Sequence, residues 1–238
     1  MIKRFAFLVR NPSLSHDEFH ARWRGPHADL FAKNAAVQDH VLRYEQNHRK
    51  PRDYDRVDTP YDGALIQWFD SMDAVREMRS DSRFGEVTND SATLLDVDQT
   101  LEVFTTDEKI VIAGPDERPE PLTKLVCGVR KKPGMDRDAF HQYWWEVHGP
   151  LNRDTPAVRK YFLRYEQNHR LPEDYARTDV TLEGVTCEWF PSTRDFFAMA
   201  TDPESRDVIR ADEENFLDPD NLTWLLCDAE EVIFDHRP

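Results

Sequence analysis

Apolar side chains recur along this chain with two alternating periods. Phe5, Phe7 and Val9 stand two residues apart, the spacing of a strand with one buried face, and Pro12 closes the run. Ser15-x-x-Glu18 then offers a capping box for a helix in which Phe19, Trp23 and Leu30 recur at helical spacing. Leu42 to Arg49 alternates again, and Ala64 to Phe69 makes a third strand. A second helical region starts near Ser71-Met72-Asp73 and breaks near Asp81. Leu101 to Phe104, continuing to Val111-Ile112, supplies the last strand. The order β-α-β-β-α-β is that of a ferredoxin-like unit.

The pattern then repeats. Leu42-Arg43-Tyr44-Glu45-Gln46-Asn47-His48-Arg49 recurs letter for letter as Leu163 to Arg170, a displacement of 163 − 42 = 121 residues. The same displacement carries Phe19-His20 to Phe140-His141, Trp23 to Trp144, His27 to His148, Gly63 to Gly184 and Trp68-Phe69 to Trp189-Phe190. Asp136 takes the capping place of Ser15. The predicted class is α+β: a first unit at 1–112, a Pro-rich charged linker at 113–122 and a second unit at 123–238. A four-stranded sheet with helices on one face leaves its other face bare. Two such units packed sheet to sheet give an intramolecular pseudo-dimer.

Composition narrows the partners. With 31 Lys and Arg against 46 Asp and Glu, the net charge of −15 repels phosphate backbones and anionic lipid. Neither nucleic acid nor a membrane surface is expected. No signal peptide and no long apolar span is read at any point. Cys127, Cys187 and Cys227 are odd in number, far apart and set in apolar sequence. They read as reduced core thiols of a cytoplasmic protein.

Phe140-x-x-Tyr143-Trp144-x-x-x-His148-Gly149-Pro150-Leu151 resembles the signature helix of EthD-type domains of the dimeric α+β barrel superfamily. Its counterpart is Phe19-x-x-x-Trp23-x-x-x-His27-x-x-Leu30. The first copy departs from the pattern, with Arg22 at the place of Tyr143 and Gly25-Pro26 before His27. The resemblance implies an intramolecular dimeric α+β barrel with a ligand cavity in each unit. It also implies kinship with polyketide cyclases and with dehydratases that use neither metal nor organic cofactor. More distant superfamily members are monooxygenases or bind haem.

His27 and His148 share a helix face with Trp23 and Trp144, and an imidazole can move a proton near neutral pH. The alternative is a helix-terminal histidine facing its own carbonyls. His20 and His141, nearer the helix start, are expected at the surface. On the repeated strand Tyr44, Gln46 and His48, with Tyr165, Gln167 and His169, point to one face. Arg43, Glu45, Arg164 and Glu166 point to the other, where ion-paired ladders are expected. The candidate catalytic set is therefore His148, His27, His169, His48, Tyr165 and Tyr44. Gln167, Gln46, Trp144, Trp23, Trp189 and Trp68 are candidate substrate-binding residues, with core packing as the alternative for each tryptophan. Asp53-Tyr54 and Asp174-Tyr175 read as turn residues.

No metal-ligand spacing and no phosphate-cradling glycine loop occurs, so no cofactor is expected. The predicted function is a cofactor-independent lyase, a dehydratase or related elimination enzyme, on a hydrophobic aromatic or polyketide-like oxygenated small molecule. A cofactor-free monooxygenase and a non-catalytic binder or auxiliary of an oxygenase system are the alternatives. The layout is compatible with a homo-oligomer of the fused pseudo-dimer.

Overall fold

The computed structural model describes residues 1–55, 58–115 and 121–238. Of the linker expected at 113–122, residues 116–120 lie outside the described residues. The first unit runs β1 (Ile2–Leu8), α1 (His16–Arg22), a π-helical turn (Trp23–His27), α2 (Ala28–Lys33), α3 (Ala35–His40) and β2 (Val41–His48). It continues with β3 (Gly63–Phe69), α4 (Met72–Ser80), α5 (Gly85–Leu94) and β4 (Leu101–Thr106), after which comes β5 (Lys109–Ile112). The second unit repeats the series: β6 (Thr123–Val129), α6 (Arg137–Tyr143), a π-helical turn (Trp144–His148), α7 (Gly149–Asp154), α8 (Pro156–Arg159) and β7 (Arg164–His169). Then follow β8 (Gly184–Phe190), α9 (Thr193–Thr201), α10 (Pro203–Phe216), β9 (Thr223–Cys227) and β10 (Glu231–Asp235). The helix starts follow the sequence signals. Ser15 Oγ accepts the Glu18 N–H at 3.3 Å while the Glu18 carboxylate accepts the Ser15 N–H at 2.8 Å. Asp136 accepts from the N–H groups of Asp138 and Ala139.

Each unit is an antiparallel five-stranded sheet, ordered β10-β2-β3-β1-β4 in the first and β5-β7-β8-β6-β9 in the second. Within these, β2-β3-β1-β4 and β7-β8-β6-β9 have the ferredoxin-like order, and the α+β class is as predicted. The outer strand is not. Lys109–Ile112 was expected to complete the strand begun at Leu101. It pairs instead with β7, through Lys109↔Gln167 and Ile112↔Tyr165, while β10 pairs with β2. The polar run Thr105-Thr106-Asp107-Glu108 interrupts the apolar alternation and frees β5. The compact units are accordingly Met1–Thr106 with Glu230–Pro238, and Asp107–Ala229. In each, an added strand covers the backbone edge that β2 or β7 would otherwise present.

The helices lie over one sheet face, and large aromatics fill the space between. In the second unit Phe140, Trp144, Phe162, Phe190, Phe216 and Leu226 form one buried cluster. Trp144 explains why residue 184 is glycine: a Cβ there would stand 2.9 Å from the indole and 2.4 Å from the Asn168 carbonyl oxygen. Gly63 meets Trp23 in the same way, at 2.5 Å. The last letter of the repeated octapeptide has a structural task. The buried Arg170 binds the Asp174 carboxylate at 2.8 Å and the carbonyls of Val180 and Leu182, tying down the loop after β7. Arg49 does the same with Asp53 at 3.1 Å and the carbonyls of Thr59 and Tyr61.

The opposite sheet face carries Trp68 and Trp189. Lys124 Nζ lies 4.7 Å from the Trp189 ring centre and Lys3 Nζ 5.0 Å from that of Trp68. On this face Arg43 and Glu45, and likewise Arg164 and Glu166, form ion pairs along their own strands, at 3.0 and 2.6 Å. The three cysteines are buried free thiols. Among the described residues no helix is long and apolar enough to cross a membrane.

Candidate active site

The signature helix bends into a π-helical turn at the repeated Trp and His of each unit, a distortion of the helix that π-bulges typically make. In the second unit the Gly149 N–H reaches back to the Trp144 carbonyl, which also accepts from Gln167 Nε2 at 2.8 Å. This register directs His148 inward, where it is 8 % exposed. Its Nδ1 lies 2.7 Å from Asp212 Oδ2 on α10, while Tyr143 donates to Asp212 Oδ1 at 2.8 Å. A carboxylate at Nδ1 sets the tautomer, leaving the lone pair on Nε2. That nitrogen is 3.1 Å from the Asn152 amide.

His148 borders a cavity of about 210 Å³ between the sheet and α9 and α10. Leu125, Phe196, Met199, Ile209 and Trp224 give it an apolar wall, and Trp144 and Tyr165 close the side nearest the π-turn. The Tyr165 oxygen accepts from Gln167 Nε2 at 3.1 Å and from the Trp144 side chain, and burial pushes its pKa up. It is therefore a neutral phenol. Two carboxyl groups also face the cavity. Glu188 on β8 lies between Leu125 and Tyr165 on the neighbouring strands and accepts from Thr186 Oγ1 at 3.2 Å. Burial pushes Glu188 up to about 8, the Thr186 hydroxyl opposing and the nearby Glu213 adding to the rise. Glu213 is also raised by burial, with Arg210 at 3.1 Å opposing.

Behind Tyr165 runs a hydrogen-bonded chain. Gln167 Oε1 meets His169 Nε2 at 3.2 Å, and His169 Nδ1 meets His141 Nδ1 at 2.8 Å. His141 Nε2 meets the Tyr175 hydroxyl at 2.8 Å, and Tyr175 donates to Glu183. The first unit repeats it as Gln46, His48, His20, Tyr54 and Asp62. His20 and His141, expected at the surface, are thus integral links. His48 and His169 pack in tilted contact with Trp23 and Trp144 at 4.3 and 4.4 Å, and Trp144 stands between His169 and the cavity. Burial, as the largest cause, holds His20 and His141 at about 4 and His48 and His169 at about 2, against the ordinary 6.5. Below pH 6.5 these four histidines bind more protons in the unfolded chain than in the folded one, so their contribution to stability is full above 6.5 and falls as pH drops towards 4. The thermal midpoint is expected to be lower at pH 5 than at pH 7. His169→Gln, which cannot titrate, is expected to shrink that difference.

The first unit keeps the scaffold and fills the place of the cavity. His27 Nδ1 is 2.7 Å from Asp90 Oδ2, Trp23 donates to Tyr44 at 3.0 Å and Gln46 to the Trp23 carbonyl at 2.8 Å. Burial lowers the His27 pKa, Asp90 opposing, and raises that of Tyr44 to about 12. The positions of Leu125, Glu188, Ala200 and Trp224, however, are Arg4, Gln67, Arg79 and Glu102. Arg4 binds Glu102 at 2.5 Å and Gln67 at 2.7 Å, and Arg79 binds Glu102 at 2.6 Å. Arg22, the departure from the motif, lies 3.8 Å from Asp90, whereas its counterpart Tyr143 donates a hydrogen bond to Asp212.

Of the twelve candidates, the cavity takes His148, Tyr165 and Trp144 directly. Gln167 and His169 stand behind these three, and His27, His48, Tyr44, Gln46 and Trp23 form the matching scaffold of the first unit. Trp68 and Trp189 lie on the sheet face opposite the cavity. Asp212, Asp90, Asn152, Glu188 and Glu213 were missed. Asp90 and Asp212 differ by 212 − 90 = 122, so one inserted residue hid them from the displacement of 121.

Among the described residues no group of three or more His, Cys, Asp and Glu side chains is placed to hold a metal ion. The cavity beside His148 is too small to enclose a haem. The cavity, about 210 Å³, is below the ~300–1,000 Å³ of pockets for drug-sized ligands.

Solved structures with this fold, that of dimeric α+β barrel proteins, match nearly the whole chain. An anthrone oxidase-like protein has a TM-score of 0.65 at 9 % identity, covering 99 % of this chain and 94 % of its own. A proposed monooxygenase from Fusobacterium nucleatum has a TM-score of 0.58 at 8 % identity, covering 97 % and 92 %. A chlorite dismutase variant from Candidatus Nitrospira defluvii has 0.51 at 12 %, covering 95 % and 90 %. At such identities the likeness is one of fold. No curated protein sequence matches the chain. The EthD domain model matches residues 11–98 and again 132–220, the two segments that carry the π-turn histidines. With both units accounted for, the chain belongs to the EthD domain family and carries the domain twice.

Proposed function

We propose that the second unit is an acid–base lyase site that removes water, or carries out a related elimination, on a compact, largely apolar oxygenated molecule. The observation that carries this reading is the apolar cavity of about 210 Å³ in which the His148–Asp212 couple and the neutral phenol of Tyr165 meet. An aromatic or short polyketide-like ring suits its aromatic and aliphatic walls. In this reading His148 Nε2 exchanges the Asn152 amide for an acidic C–H of substrate, and Asp212 stabilises the imidazolium that forms. Tyr165, whose oxygen already receives two N–H donors, gives its own proton to a hydrogen bond with the substrate oxygen on which charge develops.

A cofactor-free monooxygenase would share the first step and send the carbanion to O₂. The two are separated by incubating the protein with hydroxylated cyclic ketones and following product mass and dissolved oxygen together. Loss of one water with oxygen constant is expected. Oxygen uptake with a gain of oxygen atoms would replace the lyase reading, and recovery of unchanged ligand would make the cavity a binding site.

A further inference from the structure

We propose that Glu188 is the general acid of the second unit, holding a proton in the resting site and delivering it to the departing oxygen, so that the cavity selects neutral substrates. The inference rests on the lyase reading and extends it. Its basis is geometric. Glu188 lies on the cavity-facing side of β8, flanked by Leu125 and Tyr165, and is hydrogen-bonded by the Thr186 hydroxyl. Among the described residues no cation lies within ion-pair distance of it. The cavity's two arginines are engaged elsewhere, Arg210 with Glu213 at 3.1 Å and Arg206 with Asp207 at 2.7 Å. The titratable and charged groups that share the cavity are Tyr165 on β7, Cys127 on β6, His148 on the π-turn, and Arg206, Arg210 and Glu213 on α10.

The internal repeat supplies the control. At the place of Glu188 the first unit has the neutral amide Gln67, and at the place of Leu125 it has Arg4, bonded to that amide at 2.7 Å. The second unit has done the reverse at both positions: a carboxyl is present and the cation beside it is gone. A carboxyl set among largely apolar walls, with no cation in ion-pair contact, keeps its proton. In the elimination the C–H bond breaks towards His148 and the C–O bond breaks as Glu188 protonates the leaving hydroxyl. The carbon–carbon double bond forms, and water departs. The proton on His148 then returns to the Glu188 carboxylate, which restores the site with a net loss of one water.

Two measurements test this on the full chain. Infrared difference spectroscopy between pH 6 and pH 10 should show a protonated carboxyl band that disappears with a midpoint of about 8. The band should be absent in Glu188→Gln, and in Leu125→Arg, which restores the first unit's cation. With a turned-over substrate, Glu188→Gln should lower kcat about 100- to 10,000-fold and abolish the alkaline fall of the pH profile. Gln67 shows that the fold accepts an amide here. A wild-type spectrum without the band, or a variant keeping the alkaline limb, would overturn the proposal. Because the spectrum needs no substrate, the state of Glu188 is decided even if the elimination reading fails.

Discussion

Replacing His148 with alanine is expected to reduce turnover about 100- to 10,000-fold, the range for loss of a positioned general base, in a protein that stays folded. The matching His27→Ala variant is expected to leave turnover within about twofold of the parent. The asymmetry follows from what surrounds two nearly identical dyads. Both histidines have an aspartate at 2.7 Å on Nδ1. Beside His148 the sheet offers Leu125 and Glu188 to a cavity, whereas in the first unit Arg4, Gln67, Arg79 and Glu102 bond to one another at those places. Asp212→Asn should follow His148→Ala in direction, since an amide can reverse the imidazole tautomer and remove the stabilising charge. Steady-state kinetics with circular dichroism as the folding control checks all three.

The largest loss of stability is expected from Trp144→Ala, at about 3–5 kcal/mol, because the indole is fully enclosed and its neighbours cannot collapse into the void. The ring packs against Phe140 at 5.6 Å and His169 at 4.4 Å and over the bare backbone of Gly184, a position shaped to receive it. Its side chain also bonds the Tyr165 oxygen, so the variant should lose the phenol's orientation along with the packing. Trp144→Phe keeps most of the burial and removes the indole N–H. It should cost less stability yet still lower turnover. Trp23→Ala should destabilise to a similar extent without the catalytic deficit. Urea midpoints at constant m-value measure the first effect, and kcat measures the second.

The repeat, the element order and the histidine on its helix were legible because each is written in local spacing. Gly63 and Gly184, Arg49 and Arg170, and the octapeptide strands recur because each has the same packing task in both units. The outer strands were not legible. Lys109–Ile112 and Glu231–Asp235 are short apolar alternations, and a free sheet edge, not their own pattern, decides where they pair. Which face Trp68 and Trp189 take was hidden for a related reason. Period two fixes which residues share a face of one strand, but the register Tyr165↔Glu188 is needed to see that Trp189 lies on the side opposite Tyr165. In sequence Glu188 and Gln67 differ by one letter at the same place of the repeat. Its chemistry depends on Leu125, on a different strand, having replaced an arginine.

The most direct test is deuterium exchange from deuterium oxide into a substrate analogue that keeps the acidic C–H and lacks the leaving hydroxyl. It isolates proton abstraction from both elimination and oxygenation. Exchange is expected with the parent protein, His27→Ala and Glu188→Gln alike, and its loss is expected in His148→Ala. Undiminished exchange in His148→Ala, or equal loss in His27→Ala, would contradict a proton-abstracting site built on His148 in the second unit.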